Sequence, residues 1–533
     1  MNKQNKSPHL KNSDEKENKP PAKWELSDAT RPFREFFASV SPKDKNAKLA
    51  GLAIIILASA YLFSLILGAG LSAMGAFIVS ILLFLFCGEA MRGWMGWEGF
   101  WGIILFKNRS TLAYIDRIAH KYADIWIALS DIGLVLGYGL FSILLLGKEQ
   151  KKPARLAIMY AGGMVLLIAF SLFVAPFAMS VITGMLSGGD FSGASVHLRE
   201  NFSSFGQVPL EVGEEEIVVP LFSIAMLFVM IFGGLAGSIT ISLIFYAAIT
   251  LPAVLGKIFA AIVAFATGGE FNIDGLPPPG GAPIIPGVNL PFVEGIIALS
   301  ILLVVHEMAH ALLARIANVR LDSAGVVFFG ILPFGAFVDP DEKELEKIEK
   351  YKENRVLVAG SAANLVTCML FFFLLTVAIA GTEDLRLSGW KVMDGNLPKG
   401  AVVYSIGGID YSGQNLSFAP GESVAVQTSF GEFERVVNEE GKVGVEMRLV
   451  EKTGLGFRYA FKQGWGWVEF FLNILALTFA LNMVVGVVNL LPIPLFDGQR
   501  LMDAGVGNKR ISFAVSIIVS AAFLANLLPW IFR

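Results

Sequence analysis

The run Leu302-Leu303-Val304-Val305-His306-Glu307-Met308-Ala309-His310-Ala311-Leu312-Leu313 sets a His-Glu-x-x-His pattern inside a segment apolar enough to cross a bilayer. On a helix, positions i and i+4 share one face, so His306 and His310 can turn both imidazoles toward a single metal ion. Glu307, the next residue round, is placed to act as general base toward an attacking water. The chain has only five histidines, so an accidental match is rare. A carboxylate at mid-membrane costs about 2–3 kcal/mol even on lenient scales, which argues against the competing reading of an idle structural cluster. The segment predicts hydrolytic metal chemistry within lipid.

Composition agrees with that setting. Of 533 residues, 54% are hydrophobic and only 16% charged, with 43 Phe and 55 Gly, too apolar for a soluble multidomain protein and expected of a multi-pass membrane protein. A net charge of −3 and the lack of a basic stripe in the apolar body give no reason to expect nucleic acid as a partner. Cys87 and Cys368 stand far apart in apolar runs and read as small buried residues, supplying neither a disulfide framework nor a Cys-type zinc site. Residues 1–48 are rich in Asn, Lys, Pro and Ser and read as a disordered, weakly basic tail with a short amphipathic piece at 33–40. No apolar core follows Met1 closely, so no signal peptide is expected.

Apolar runs of roughly 20 residues, long enough to span, fall at 49–68, 71–91, 123–147, 155–187, 217–237, 239–267, 288–316, 355–380, 466–492 and 511–531. The expected fold is a polytopic α-helical membrane protein of about nine or ten spans. The run at 96–106 is apolar but short and reads as re-entrant or interfacial. Extra spans occupy 49–270, the first part of a catalytic core 286–380, an extramembrane module 381–462, and the rest of the core with a C-terminal span 463–533. Alternating runs between Gly-rich turns make 381–462 a small β-rich domain of about 80 residues. Lys148, Lys151, Lys152 and Arg155 place their loop in the cytoplasm. Counting onward puts 188–216, 269–287 and 381–462 outside, with 317–354 and the loop of Arg500, Lys509 and Arg510 inside.

A catalytic zinc site takes a third protein ligand and keeps a fourth position open. The spans at 355–380 and 511–531 contain no acid. At the cytoplasmic end of 466–492, however, stands Asn489-Leu-Leu-Pro-Ile-Pro-Leu-Phe-Asp497-Gly498, at the depth expected for the His pair. Pro492 and Pro494 deny that stretch a regular helix and let a side chain turn inward. The alternative for Asp497 is an ordinary Asp-Gly turn.

His306-Glu307-x-x-His310 in one span and Asn489-x-x-Pro492-x-x-x-x-Asp497-Gly498 at the end of a later one resemble the site-2 protease family of intramembrane zinc metalloproteases, over about residues 286 to 505. The resemblance implies zinc as cofactor, His306, His310 and Asp497 as its ligands, Glu307 as the base, and Asn489 as a polar helper beside the scissile carbonyl. It also implies single-span membrane proteins as substrates, cut within the bilayer in regulated intramembrane proteolysis or in clearance of signal-peptide remnants, by an enzyme of the cell membrane. Gly330-Ile-Leu-Pro333-Phe-Gly335-Ala336-Phe337-Val338-Asp339 is similar to the family's membrane-associated β segment, which makes Gly335 and Phe337, with Pro492, the expected substrate contacts. Gly360-Ser-Ala-Ala-Asn364 resembles its small-residue patch, read as close helix packing. The 381–462 module resembles a PDZ-like insertion, with Gly407 where an Asn is usual.

Two other functions use the same residues. A metal transporter or sensor would spread polar ligands along a path, whereas the later spans offer one cluster at one depth. An inactive relative that only binds substrate helices would not need Glu307. The prenyl-protein protease class takes its third ligand from a Glu-x-x-x-Asp helix motif, and no apolar span after residue 316 carries one.

Overall fold

The computed structural model describes residues 30–71, 73–107, 109–146, 153–174, 207–212, 215–273, 275–277, 279–281, 290–450 and 460–531. Most of the polar tail, the first part of the polar stretch at 188–216 and the end of the 155–187 run lie outside the described residues.

The helices are α1 (Arg31–Val40), α2 (Lys45–Gly68), α3 (Ala73–Met95), α4 (Arg109–Lys121), α5 (Ala123–Tyr138), α6 (Ser142–Leu146), α7 (Pro153–Ala169), α8 (Leu221–Ala266), α9 (Phe292–Ile316), α10 (Lys350–Gly381), α11 (Gly466–Val488), α12 (Asp497–Val506) and α13 (Lys509–Ile531). Asp44 starts α2 by accepting the Ala47 N–H at 2.8 Å. On that helix Ile54, Leu57 and Tyr61 stand exposed, an arrangement unfavourable in water and neutral against lipid tails.

Among the described residues, eight helices are long and apolar enough to cross a membrane, against the nine or ten expected. The difference has two sources. The described part of 155–187 is an apolar helix only at Ile158–Val174. The runs at 217–237 and 239–267 merge into α8, which is counted once but broken at Gly234, with φ 62°. A Cβ on Gly237 would lie 3.6 Å from the Val229 carbonyl, whereas residues eight apart in a continuous helix are about 12 Å apart. The chain therefore doubles back at Gly234, where a left-handed backbone and the close pass of Gly137 and Tyr138 leave no room for a side chain.

The 96–106 stretch, expected as re-entrant or interfacial, contains no helix. It forms the hairpin of β1 (Gly99–Phe100) and β2 (Ile103–Lys107), clasped by buried Glu89, whose carboxylate accepts the Gly102 N–H at 2.9 Å. Apart from these, β3 (Gln207–Val212) pairs antiparallel with β4 (Glu215–Pro220). β2 pairs with β5 (Leu321–Phe329), which pairs with β6 (Leu332–Pro340), all antiparallel, in the order β1-β2-β5-β6. An upstream strand thus fills the outer edge of β5, and β6 is left as the free long edge among the described residues. Ser300 of α9 donates to the Pro333 carbonyl at 2.8 Å, tying β6 to the His-bearing helix.

The β-rich module expected at 381–462 is present. Its strands β7 (Arg386–Leu387), β8 (Gly389–Gly395), β9 (Val402–Ile406), β10 (Ile409–Asp410), β11 (Ser423–Thr428), β12 (Gly431–Val436), β13 (Val445–Val450) and β14 (Ala460–Phe461) include a six-stranded antiparallel sheet ordered β12-β11-β9-β8-β13, with β10 beside β9. Val392, Val403, Ile406, Val424 and Val426 fill its core. β7 pairs with β14, joining the two ends of the module, and Lys391 docks it on α11 through Glu469 at 2.6 Å.

Candidate metal centre

Helix α9 buries Gly295, Ala298, Leu302, His306, Ala309 and Leu313, a stripe at three- and four-residue spacing that packs against α10 and α11. His306 therefore faces inward because its helical neighbours do. His310, one turn on, brings its Nε2 to 3.1 Å from that of His306. Asp497, the first residue of α12, places Oδ2 3.5 Å from His306 Nε2 and 3.3 Å from His310 Nε2. Among the described residues, these three are the group with metal-holding geometry.

The spacing fits a tetrahedral ion. Ligand bonds of 2.0–2.1 Å at tetrahedral angles set donor atoms about 3.3 Å apart, as these are. Both imidazoles are also held by their other nitrogen. His310 Nδ1 donates to the Val356 carbonyl at 2.7 Å, and His306 Nδ1 meets the Asn364 side-chain amide at 3.1 Å. With the proton on Nδ1, each Nε2 turns a lone pair toward the carboxylate. Asn364 Oδ1 is buried and otherwise unpartnered, so an amide oriented with that oxygen toward Nδ1–H satisfies both groups. Three mutually facing acceptors repel one another unless a cation lies between them. The donor set therefore fits zinc.

Asp497 is not part of a simple Asp-Gly turn. The Gly498 N–H donates to the Asn489 carbonyl at 2.8 Å, and a Cβ on Gly498 would collide with the Leu490 carbonyl. The loop closes on itself and delivers the carboxylate inward. Asp503, six residues on, turns elsewhere, bonding Ser512 and, at 3.0 Å, Gln499.

Asn489 caps α11 with its amide 3.5 Å from His306 Nε2. Glu307 is half-buried on α9. Gly335 is buried on β6, where a Cβ would stand 2.8 Å from the Leu303 Cβ, one helical turn before Glu307. Phe337 lies further along β6 opposite Gly325, and Pro492 is buried within its loop.

The patch Gly360–Asn364 does more than pack. Gly133 of α5 lies against Ala362, and Gly486 of α11 lies against Asn364, as close helix packing requires. The patch also carries Asn364 to His306, and Gly360 leaves the room both imidazoles occupy. A Cβ on Gly360 would lie 2.6 Å from His306 Nδ1 and would also strike His310 Nε2. Gly360→Ala should consequently weaken zinc binding by at least about 10-fold, the scale of a disturbed second shell. Zinc titration of the purified variant checks this, and wild-type affinity would show that the rings can give way.

An uncharacterized protein of Methanocaldococcus jannaschii is 26% identical over 229 residues, which cover 41% of this chain and 58% of that relative, so the two share little more than half of the relative's length. Residues 294–529, from the first turn of α9 to near the end of α13, match the model of peptidase family M50. Over that stretch the chain is similar to peptidase family M50, in keeping with the resemblance that its paired motifs carry.

Proposed function

We propose that the protein is an intramembrane zinc metalloprotease that hydrolyses peptide bonds within the spanning segments of single-span membrane proteins, in regulated proteolysis or in clearance of signal-peptide remnants. The observation that carries this reading is the triangle of His306, His310 and Asp497 acceptor atoms at 3.1–3.5 Å, with both histidines, and Glu307 next to His306 in sequence, on a helix able to cross a bilayer.

His306 Nε2, His310 Nε2 and Asp497 Oδ2 would hold the zinc. When bound, zinc supplies Lewis-acid polarisation of the scissile carbonyl and acidifies water at neutral pH. Glu307 accepts the proton of the attacking water and returns it to the departing amine. The Asn489 amide donates toward the developing oxyanion. β6 offers its free edge to an unwound substrate, since a peptide bond in a regular helix is shielded by its own hydrogen bonds. The strand content of the 381–462 module supports a PDZ-like role in substrate selection. The charge distribution of the loops supports a cell-membrane protein with its metal nearer the cytoplasmic face.

Cleavage should therefore fall in the cytoplasmic half of the substrate span and be favoured there by Gly, Pro, Asn or Ser, which lower the helical preference by up to about 1–3 kcal/mol each for Gly and Pro. The test is mass spectrometry of membrane-fraction peptides produced with active enzyme and with Glu307→Gln. Replacing those residues by Leu should slow cleavage more in the inner half than in the outer. Cuts on the external side would overturn both the orientation and the role of β6. The absence of enzyme-dependent peptides would overturn the protease reading.

A further inference from the structure

Helix α5 lies upstream of the family match, yet it reaches both arms of the donor set. Tyr138, its last residue, donates from its hydroxyl to the Leu490 carbonyl at 2.9 Å. That carbonyl is the surface against which Gly498 rests, so tightly that no Cβ would fit. Asp497 is the residue next to that contact. Beside it, a Cβ on Gly137 would come within 2.9 Å of the Leu490 side chain. Two turns earlier on α5, Asp131 receives Arg355 Nε at 2.6 Å and Nη2 at 3.0 Å, a fork-shaped pair whose side chains are 5% and 13% exposed. Arg355 immediately precedes Val356, whose carbonyl orients His310.

We propose that α5 sets the spacing of the metal ligands, with Tyr138 as the positioning residue for Asp497. The inference rests on the reading of His306, His310 and Asp497 as a zinc site. The loop from Asn489 to Asp497 contains no regular helix, and Leu495 sits in the left-handed region at φ 78°, a conformation disfavoured for a branched side chain. Such a loop keeps one shape only where outside contacts hold it. The Tyr138 hydroxyl is such a contact, and it acts at the carbonyl under the Asp497-Gly498 corner. Losing it lets the carboxylate drift from the 3.3–3.5 Å positions beside the two imidazoles.

The full-length Tyr138→Phe protein in nanodiscs tests this beside wild type and Tyr160→Phe. The control loses a hydroxyl from the same cluster as Tyr138, one that bonds Ser142 at 2.9 Å instead of the Leu490 carbonyl. Two quantities are read: zinc affinity by chelator competition, and hydrogen exchange of segment 489–498 in metal-free protein. Tyr138→Phe should bind zinc about 10-fold more weakly and exchange faster across that segment, while Tyr160→Phe matches wild type in both. Unchanged exchange overturns the tie. Faster exchange with wild-type zinc affinity, or an equal loss in Tyr160→Phe, overturns the positioning role. Zinc affinity that is no lower in His306→Ala than in wild type overturns the metal reading instead, and the metal-free exchange still reports the tie separately.

Discussion

Replacing Glu307 by Gln should abolish cleavage of a membrane-spanning substrate while leaving close to one zinc per chain. The substitution keeps the size and hydrogen-bonding shape of the side chain but removes its ability to take a proton. Glu307 is outside the donor triangle of His306, His310 and Asp497, so metal retention does not depend on its charge. General-base catalysis is worth about 10²–10⁴-fold, or roughly 3–5 kcal/mol of barrier. Single-turnover cleavage of a reconstituted substrate, with zinc measured on the same preparation, checks both halves. Turnover at the wild-type rate would remove Glu307 from the chemistry; loss of zinc would move it into the ligand set.

Asp497→Ala should lose zinc and activity together. Two imidazoles alone leave an open site that holds metal poorly, so affinity should fall by more than about 100-fold, beyond the range of an outer-shell loss. Asp503→Ala is the matched control, because its carboxylate is engaged by Ser512 and Gln499 at the α12–α13 junction. That variant should keep its zinc. The reverse pattern would make Asp503 the third ligand and require a rearranged loop. Because both residues sit on the same short helix, general unfolding of α12 would strip zinc from both variants, and this separates misfolding from ligand loss.

The parts of the centre that were legible in the sequence are those fixed by local geometry. Helical spacing alone aligns His306 with His310, and the prolines after Asn489 announce a broken end from which Asp497 can turn inward. What the sequence did not disclose acts across long separations. Val356 and Asn364 orient the imidazoles from another helix, and Tyr138 holds a carbonyl 352 positions away, so no periodicity links them. Gly360 and Asn364 were visible only as small or polar residues in a packing patch, because residue size does not say which neighbour takes the space. The hairpin at 99–107 is illegible in the sequence for a different reason. Five residues of apolar strand carry too little pattern to set them apart from a short interfacial piece, and their partner β5 lies far along the chain. The break in α8 was expected near residue 238 from hydropathy, but it falls at Gly234, where the backbone requirement lies.

The pairing of β7 with β14 gives the interrupted core a simple connectivity. The chain departs α10 and rejoins α11 across one strand spacing, about 5 Å, although a complete sheet lies between the two points in sequence. The entropy lost in bringing α10 and α11 together is therefore charged mainly to the module's own folding, and once its ends are pinned the two spans meet as an ordinary helical hairpin would. The sheet is a bead on a closed loop of thread: the core is interrupted in sequence and continuous in space, as at the boundaries where domain insertions are tolerated.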